Sequence, residues 1–239
     1  MLMWFSLELS IQARRRRVGW LASPPMDVNS LIIGLISYVT LVVLLTFHEF
    51  GHAWMASMCG DDTARSEGRV SLNPLVHIDP IGTVIMPLLM IFLPREVGSF
   101  LLGWAKPVPV NLNNLRNPKL DDVLITMAGP WMNLLLAVVC VGGIKIGIIA
   151  DSFGVVEFCH RAAYMNLGLF FFNLLPIPPL DGSRIMRVVV GMSHETYAQL
   201  SQYSYFVIIA LIQWTPVPDW IGFLCRGTYS IISSWFGMR

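Results

Sequence analysis

From Val28 to Gly60 the chain carries a single formal charge, Glu49, and from Val123 to Ile144 and from Ala162 to Leu180 it carries none. A helix crosses the roughly 30 Å of bilayer hydrocarbon in about 20 apolar residues, so each stretch is long enough to span a membrane. A fourth stretch, Thr196 to Pro218, is also uncharged but holds Gln199, Gln202 and Gln213, which predicts a span with one polar face. Ile81 to Leu93 is too short to span and contains Pro87. It is followed by Pro94, Arg95 and Glu96 and then by a second apolar piece, Val97 to Trp104, a pattern expected of a re-entrant or interfacial hairpin. A last apolar run, Gly227 to Met238, is expected at the interface. The fold expected is all-α and polytopic: a bundle of about four to six transmembrane helices with a re-entrant or β-hairpin-like element between the first and second core spans.

Composition agrees. Of 239 residues, 16 are basic and 15 acidic, so 13% are charged, against roughly 25% in a soluble domain. The mean hydropathy is +0.62. A net charge of +1 gives no electrostatic basis for nucleic-acid binding. The apolar stretches leave no room for a second, soluble domain, so residues 28–239 are read as one membrane domain. Residues 1–27 differ: Arg14 to Arg17 and then Ser23-Pro24-Pro25 follow an apolar piece instead of preceding one, the reverse of a secretory signal. They are read as a disordered or non-native tail, with Met26 as an alternative start. Cys59, Cys140, Cys159 and Cys225 form no CxxC pair and are read as small buried apolar residues.

The first span holds His48-Glu49-Phe50-Gly51-His52, an HExxH. Positions i and i+4 project from one helix face, so both imidazoles can converge on one Zn²⁺ while Glu49 is placed to deprotonate a water held by the metal. A carboxylate and two imidazoles in hydrocarbon need a compensating partner, because an unpaired charge there costs at least about 2.5 to 3.5 kcal/mol. A catalytic Zn²⁺ takes three protein ligands. Glu67, His77 and Asp79 are candidates for the third, and so is Asp181, in Asn173-Leu174-Leu175-Pro176-Ile177-Pro178-Pro179-Leu180-Asp181-Gly182. Asp181 is favoured, because three prolines break the third span just before it and irregular backbone at membrane depth is tolerated only where it is buried in protein or lines a wet cavity.

These elements resemble the site-2 proteases, zinc metalloproteases that cut peptide bonds within the membrane. The resemblance is carried by His48 to His52, by Ala128-Gly129-Pro130-Trp131-Met132-Asn133 and by Asn173 to Gly182. Gly68 to Pro74, Gly82-Thr83 and Gly103 to Asn111 further resemble the short, single-domain members, and together the matches cover roughly residues 30 to 190. The resemblance implies His48, His52 and Asp181 as ligands of one Zn²⁺ and Glu49 as the base. It implies Asn133 and Asn173 beside the active site, holding the substrate backbone or oxyanion; interhelical hydrogen bonding is their other reading. It also implies single-span membrane proteins or peptides as substrates. Between the second and third spans Asp151 to Arg161 is only a short turn, with no PDZ-like insertion.

For Asp181 to reach His48 and His52, an even number of crossings has to separate them, so the Ile81 to Trp104 segment dips and returns. Arg65, Arg69, Arg95, Lys106, Arg116, Lys119, Arg184 and Arg187 then lie on the zinc side, against Lys145 and Arg161 near the other face. Positive-inside asymmetry therefore predicts a multi-pass protein of the cell (inner) membrane with its active site toward the cytoplasm, against the contrary sign of Arg14 to Arg17. Two other readings of the same residues are a metal-binding membrane transporter and a catalytically silent scaffold. A transporter has no need of a glutamate directly after the first ligand and no inverted repeat is visible; a silent scaffold is expected to have lost one of His48, Glu49, His52 or Asp181.

Overall fold

In the computed structural model the described residues are 28–92 and 103–238. The tail expectation, Arg95 and most of the Val97 to Trp104 piece lie outside them. Among the described residues there are nine α-helices and no strand.

Helix α1, Val28–Met58, runs through the HExxH without a break. It stops where Cys59 and Gly60 turn the chain, Gly60 at φ +103°, a backbone conformation glycine adopts without a Cβ penalty. The short α2, Thr63–Ser66, follows, and then a 3₁₀ turn at Pro74–Val76 and a π turn at Pro80–Ile85 that leads into α3, Met86–Phe92. The chain that leaves at Gly82 is back beside it at Trp104: Trp104 N–H donates to Gly82 O at 3.2 Å and Thr83 Oγ1 to Trp104 O at 2.7 Å. The two legs thus meet through single hydrogen bonds between a helical turn and an extended strip, with no strand ladder among the described residues.

Helix α4, Pro118–Ile149, opens with Pro at its first position, where the missing N–H has no partner to lose. It turns at Asp151 and pairs along its length with α5, Phe153–Asn173. Small residues let the two backbones approach: a Cβ on Gly143 would lie 2.7 Å from Cys159 Sγ, and one on Gly147 2.9 Å from Val156 Cγ2. The chain then folds through residues 174–180 into α6, Asp181–Val190, α7, His194–Gln202, α8, Ser204–Trp214, and α9, Val217–Trp235. Ala137 and Val141 of α4, Ala163 and Leu167 of α5, and Cys225 and Ile232 of α9 form the main core. Exposed apolar side chains such as Ile32, Ile36, Val39 and Val43 line the outer face of α1, as hydrocarbon contact requires.

By length and apolarity α1 and α4 can each cross a bilayer alone, and α8 with α9 forms a third candidate bent by 75°. Two boundaries differ from expectation. The helix that holds the expected third span, α5, begins nine residues earlier than Ala162, because Glu157 and Arg161 sit at i and i+4 on a half-exposed face and bond at 2.7 Å, so charge does not interrupt it. The Thr196 to Pro218 stretch is two helices, most of α7 and all of α8, and the Gly227 to Met238 run belongs mainly to α9. Pro216 sets the bend, since a proline disfavours the α conformation in the residue before it and Thr215 is extended, while Pro218 sits in the first turn of α9, where it is tolerated.

Candidate active site

His48 and His52 sit 10 and 6 residues before the end of α1 at Met58, which puts them about 15 and 9 Å from that end at 1.5 Å per residue. Both face α4, at a crossing where the helices nearly touch. A Cβ on Gly51 would lie 2.7 Å from Ala128 O. One on Gly129 would lie 2.6 Å from His52 Cε1 and 2.8 Å from His48 Cε1.

The imidazoles meet edge to face, with Nε2 to Nε2 3.0 Å and an angle of 84° between rings. His52 Nδ1–H donates to Ile125 O of α4 at 2.7 Å, which fixes the tautomer and leaves Nε2 with its lone pair toward the centre. Asp181 Oδ2 lies 3.2 Å from His48 Nε2 and 3.4 Å from His52 Nε2. Asp181 arrives there as the first residue of α6. The preceding prolines fold residues 174–180 into successive turns, and Gly182 packs where a Cβ would run into Leu174 O and lie 2.7 Å from Leu175 O.

His48, His52 and Asp181 are all buried, and among the described residues they form the one group of three or more metal-ligating side chains within 4.8 Å of one another. Asp181 Oδ2 is buried and makes no hydrogen bond despite its proximity to two ring nitrogens. Three converging donor atoms, two imidazole nitrogens and a carboxylate oxygen, suit a tetrahedral Zn²⁺ with one position open.

The other candidates lie elsewhere. Glu67 is exposed beyond α2. Asp79 caps the π turn, its Oδ1 accepting from Ile81 N and Gly82 N at 3.0 and 2.6 Å. His77 is buried, its Nε2–H donating to Ser71 O at 2.8 Å. Burial and the Arg69 guanidinium hold its pKa below the usual imidazole value, against the opposing pull of the Ser71 bond and Glu49. Glu49 is half-buried next to His48. Asn133 is fully buried on α4, one turn past Gly129, and neither of its side-chain polar atoms has a partner. Asn173 does not bond across helices: its Nδ2 donates to Leu169 O of its own helix at 3.0 Å.

Sequence reasoning missed Ile125, whose carbonyl orients His52, and Gly129, which lets α4 reach both histidines. The Ala-Gly pair opening the second motif was the available sign of close helix approach. It also missed how the loops are held. Arg69 donates to Val76 O, Lys106 O and Pro107 O, and buried Asp61 accepts from Thr63 N, Asn111 N and Asn114 Nδ2.

The description "Peptidase family M50" belongs to the family model that matches this chain, over residues 36–150 and 141–214. The chain is 38% identical over 192 residues to the Bacillus subtilis protein named "Putative zinc metalloprotease YwhC", covering 77% of this chain and 82% of that one. It is 30% identical over 209 residues to the Mycobacterium tuberculosis protein named "Putative zinc metalloprotease Rip2", covering 85% and 76%. The Mycolicibacterium smegmatis protein of the same name is 26% identical over 212 residues, covering 87% and 78%. No solved structure matches. With a family match over most of its length, and relatives named for the metal that its converging imidazole and carboxylate donors suit, the chain belongs to peptidase family M50, the site-2 proteases, and is a zinc metalloprotease.

Proposed function

We propose that this protease works inside the membrane, with His48, His52 and Asp181 holding one Zn²⁺ and Glu49 acting as general base on single-span membrane substrates. The observation that carries the proposal is the convergence of three buried donors within 3.4 Å of one another, two of them on a helix apolar and long enough to cross a membrane. A Zn²⁺ held by His48, His52 and Asp181 would supply Lewis-acid chemistry, making water more acidic and a peptide carbonyl more electrophilic. Glu49 takes the proton of the attacking water and passes it to the departing amine. His52 keeps its lone pair on the centre through the Nδ1–H bond to Ile125 O, and Asp181 balances the charge of the site. Asn133, buried with its amide unpartnered, supplies a hydrogen-bond donor for the substrate carbonyl oxygen, and the free oxygen of Asn173 accepts from substrate backbone.

An apolar cleft of about 460 Å³ supports lipid-borne substrates. It is lined along α1 from Leu35 to Phe47, ending beside His48, and by Leu136 and Cys140 of α4. The substrate helix has to unwind at the cut, because helical carbonyls are bonded internally. The C-terminal part of α1, the N-terminal part of α4 and the start of α6 meet at the site, which supports loops 59–121 and 182–195 on one side of the membrane, the side rich in basic residues and hence the cytoplasmic side of the inner membrane. Co-expression with candidate single-span proteins, followed by mapping of the fragments, tests the proposal. Cuts within or next to the transmembrane segment support it, and cuts confined to soluble portions overturn it.

A further inference from the structure

We propose that the buried ion pair between Asp122 and Arg187 is the positioning element that sets Asp181 at the histidines. The inference rests on the reading of Asp181 as a zinc ligand. Asp181 is carried by α6, a helix of ten residues, and its carboxylate has to be placed within tenths of an ångström of a centre built on α1. Packing by Gly182 fixes α6 to the turn before it, while Ser183 Oγ, 2.8 Å from Tyr197 OH, and Arg187, 5.9 Å from the Tyr197 ring, fix it to α7. None of these contacts refers α6 to α4, the helix that packs against both histidines.

The Arg187 Nη2–H to Asp122 Oδ2 bond does so, with both side chains about nine-tenths buried. Asp122, Ile125 and Gly129 stand at i, i+3 and i+7, on one face of α4. That stripe holds α6 through Asp122, orients His52 through the Ile125 carbonyl and abuts both imidazoles at Gly129. The spacings match as well. Seven residues separate Asp122 from Gly129 and six separate Asp181 from Arg187, about 10 Å and 9 Å of helix. The two helices therefore meet at two levels about two turns apart, the ion pair at one and the metal centre at the other. With the first level fixed, the second is in register.

The test measures zinc affinity by chelator competition, together with Tm, on the full chain in detergent. Arg187→Met and Asp122→Asn are each expected to weaken zinc binding about 10- to 100-fold, the loss seen when a group that orients a ligand is removed. Breaking a buried pair also destabilises, so the deciding variant is the double Asp122→Leu/Arg187→Met, in which apolar side chains of similar size replace the pair and no uncompensated charge remains. A positioning role predicts a Tm near that of the wild type with zinc affinity still about 10- to 100-fold low. Wild-type affinity in the double variant overturns the proposal, because the pair then serves stability alone. Asp181→Ala is the control: if it binds zinc normally, the ligand reading fails and takes this inference with it. Zinc loss in Asp181→Ala beside full affinity in the double variant rejects only the ion-pair role.

Discussion

Gly129→Ala should disable the metal site without touching a ligand. Its new methyl would lie 2.6 Å from His52 Cε1 and 2.8 Å from His48 Cε1, so the rings would have to retreat by about 0.8 and 0.6 Å to reach ordinary contact at 3.4 Å. His52 cannot rotate away freely, because its Nδ1–H is tied to Ile125 O at 2.7 Å on the same helix that carries the methyl. Metal–ligand distances tolerate about 0.2 Å, so a shift three to four times larger detaches a ligand or forces α4 away from α1. Zinc affinity should fall at least about 100-fold, which is about 2.8 kcal/mol, and overpacking should lower stability by a further 1–3 kcal/mol or so. Chelator competition on purified protein reads the first and thermal unfolding the second. Gly168→Ala is the matched control: nothing lies within 4 Å of its new methyl, and alanine favours the helix by about 1 kcal/mol. If Gly129→Ala binds zinc as tightly as Gly168→Ala, the reasoning from close helix approach is wrong.

Asp181→Ala should release zinc, whereas Glu67→Ala, at an exposed position beyond α2, should retain it, as metal analysis of the purified proteins will show. In a background without the four native cysteines, single cysteines at Ser66 and Asn113 should resist an impermeant thiol reagent in intact cells and one at Ser152 should label. The reverse pattern would invert the topology and make Arg14 to Arg17 the orienting signal. Burial alone would raise the Asp61 carboxyl, but bonds from Thr63, Asn114 and Asn111 outweigh it and hold the pKa below the usual carboxylate range. A depressed folded pKa stabilises above about pH 4 and is lost as pH falls through the folded value, so Asp61→Asn should unfold at a lower temperature near pH 7 and lose less Tm on acidification.

The candidate metal centre was legible where chemistry and helix periodicity coincide. His48 and His52 share a face by their spacing, and Asp181 is marked by the three prolines that end the helical path at the right depth. Helix boundaries were less legible, because hydropathy registers charge while a helix registers only backbone geometry. The apolar pattern breaks at Glu157 and Arg161, yet α5 runs through both and absorbs them as a bonded pair. The supports of the site were hidden for a different reason. The Ile125 carbonyl and the methyl-free face of Gly129 have no side-chain signature, and Asp122 and Arg187 are 65 residues apart in sequence and meet only once α4 and α6 are packed.

In the proposed mechanism Glu49 performs chemistry at a metal it does not bind. The direct measurement compares wild type and Glu49→Gln, reconstituted in lipid vesicles with a single-span substrate, by zinc content and by mass spectrometry of the fragments. A base that is not a ligand leaves about one zinc per chain in both proteins and cleavage within the substrate's membrane segment by the wild type alone. Cleavage by Glu49→Gln at the wild-type rate would remove Glu49 as the base, and loss of its zinc would make Glu49 a ligand instead.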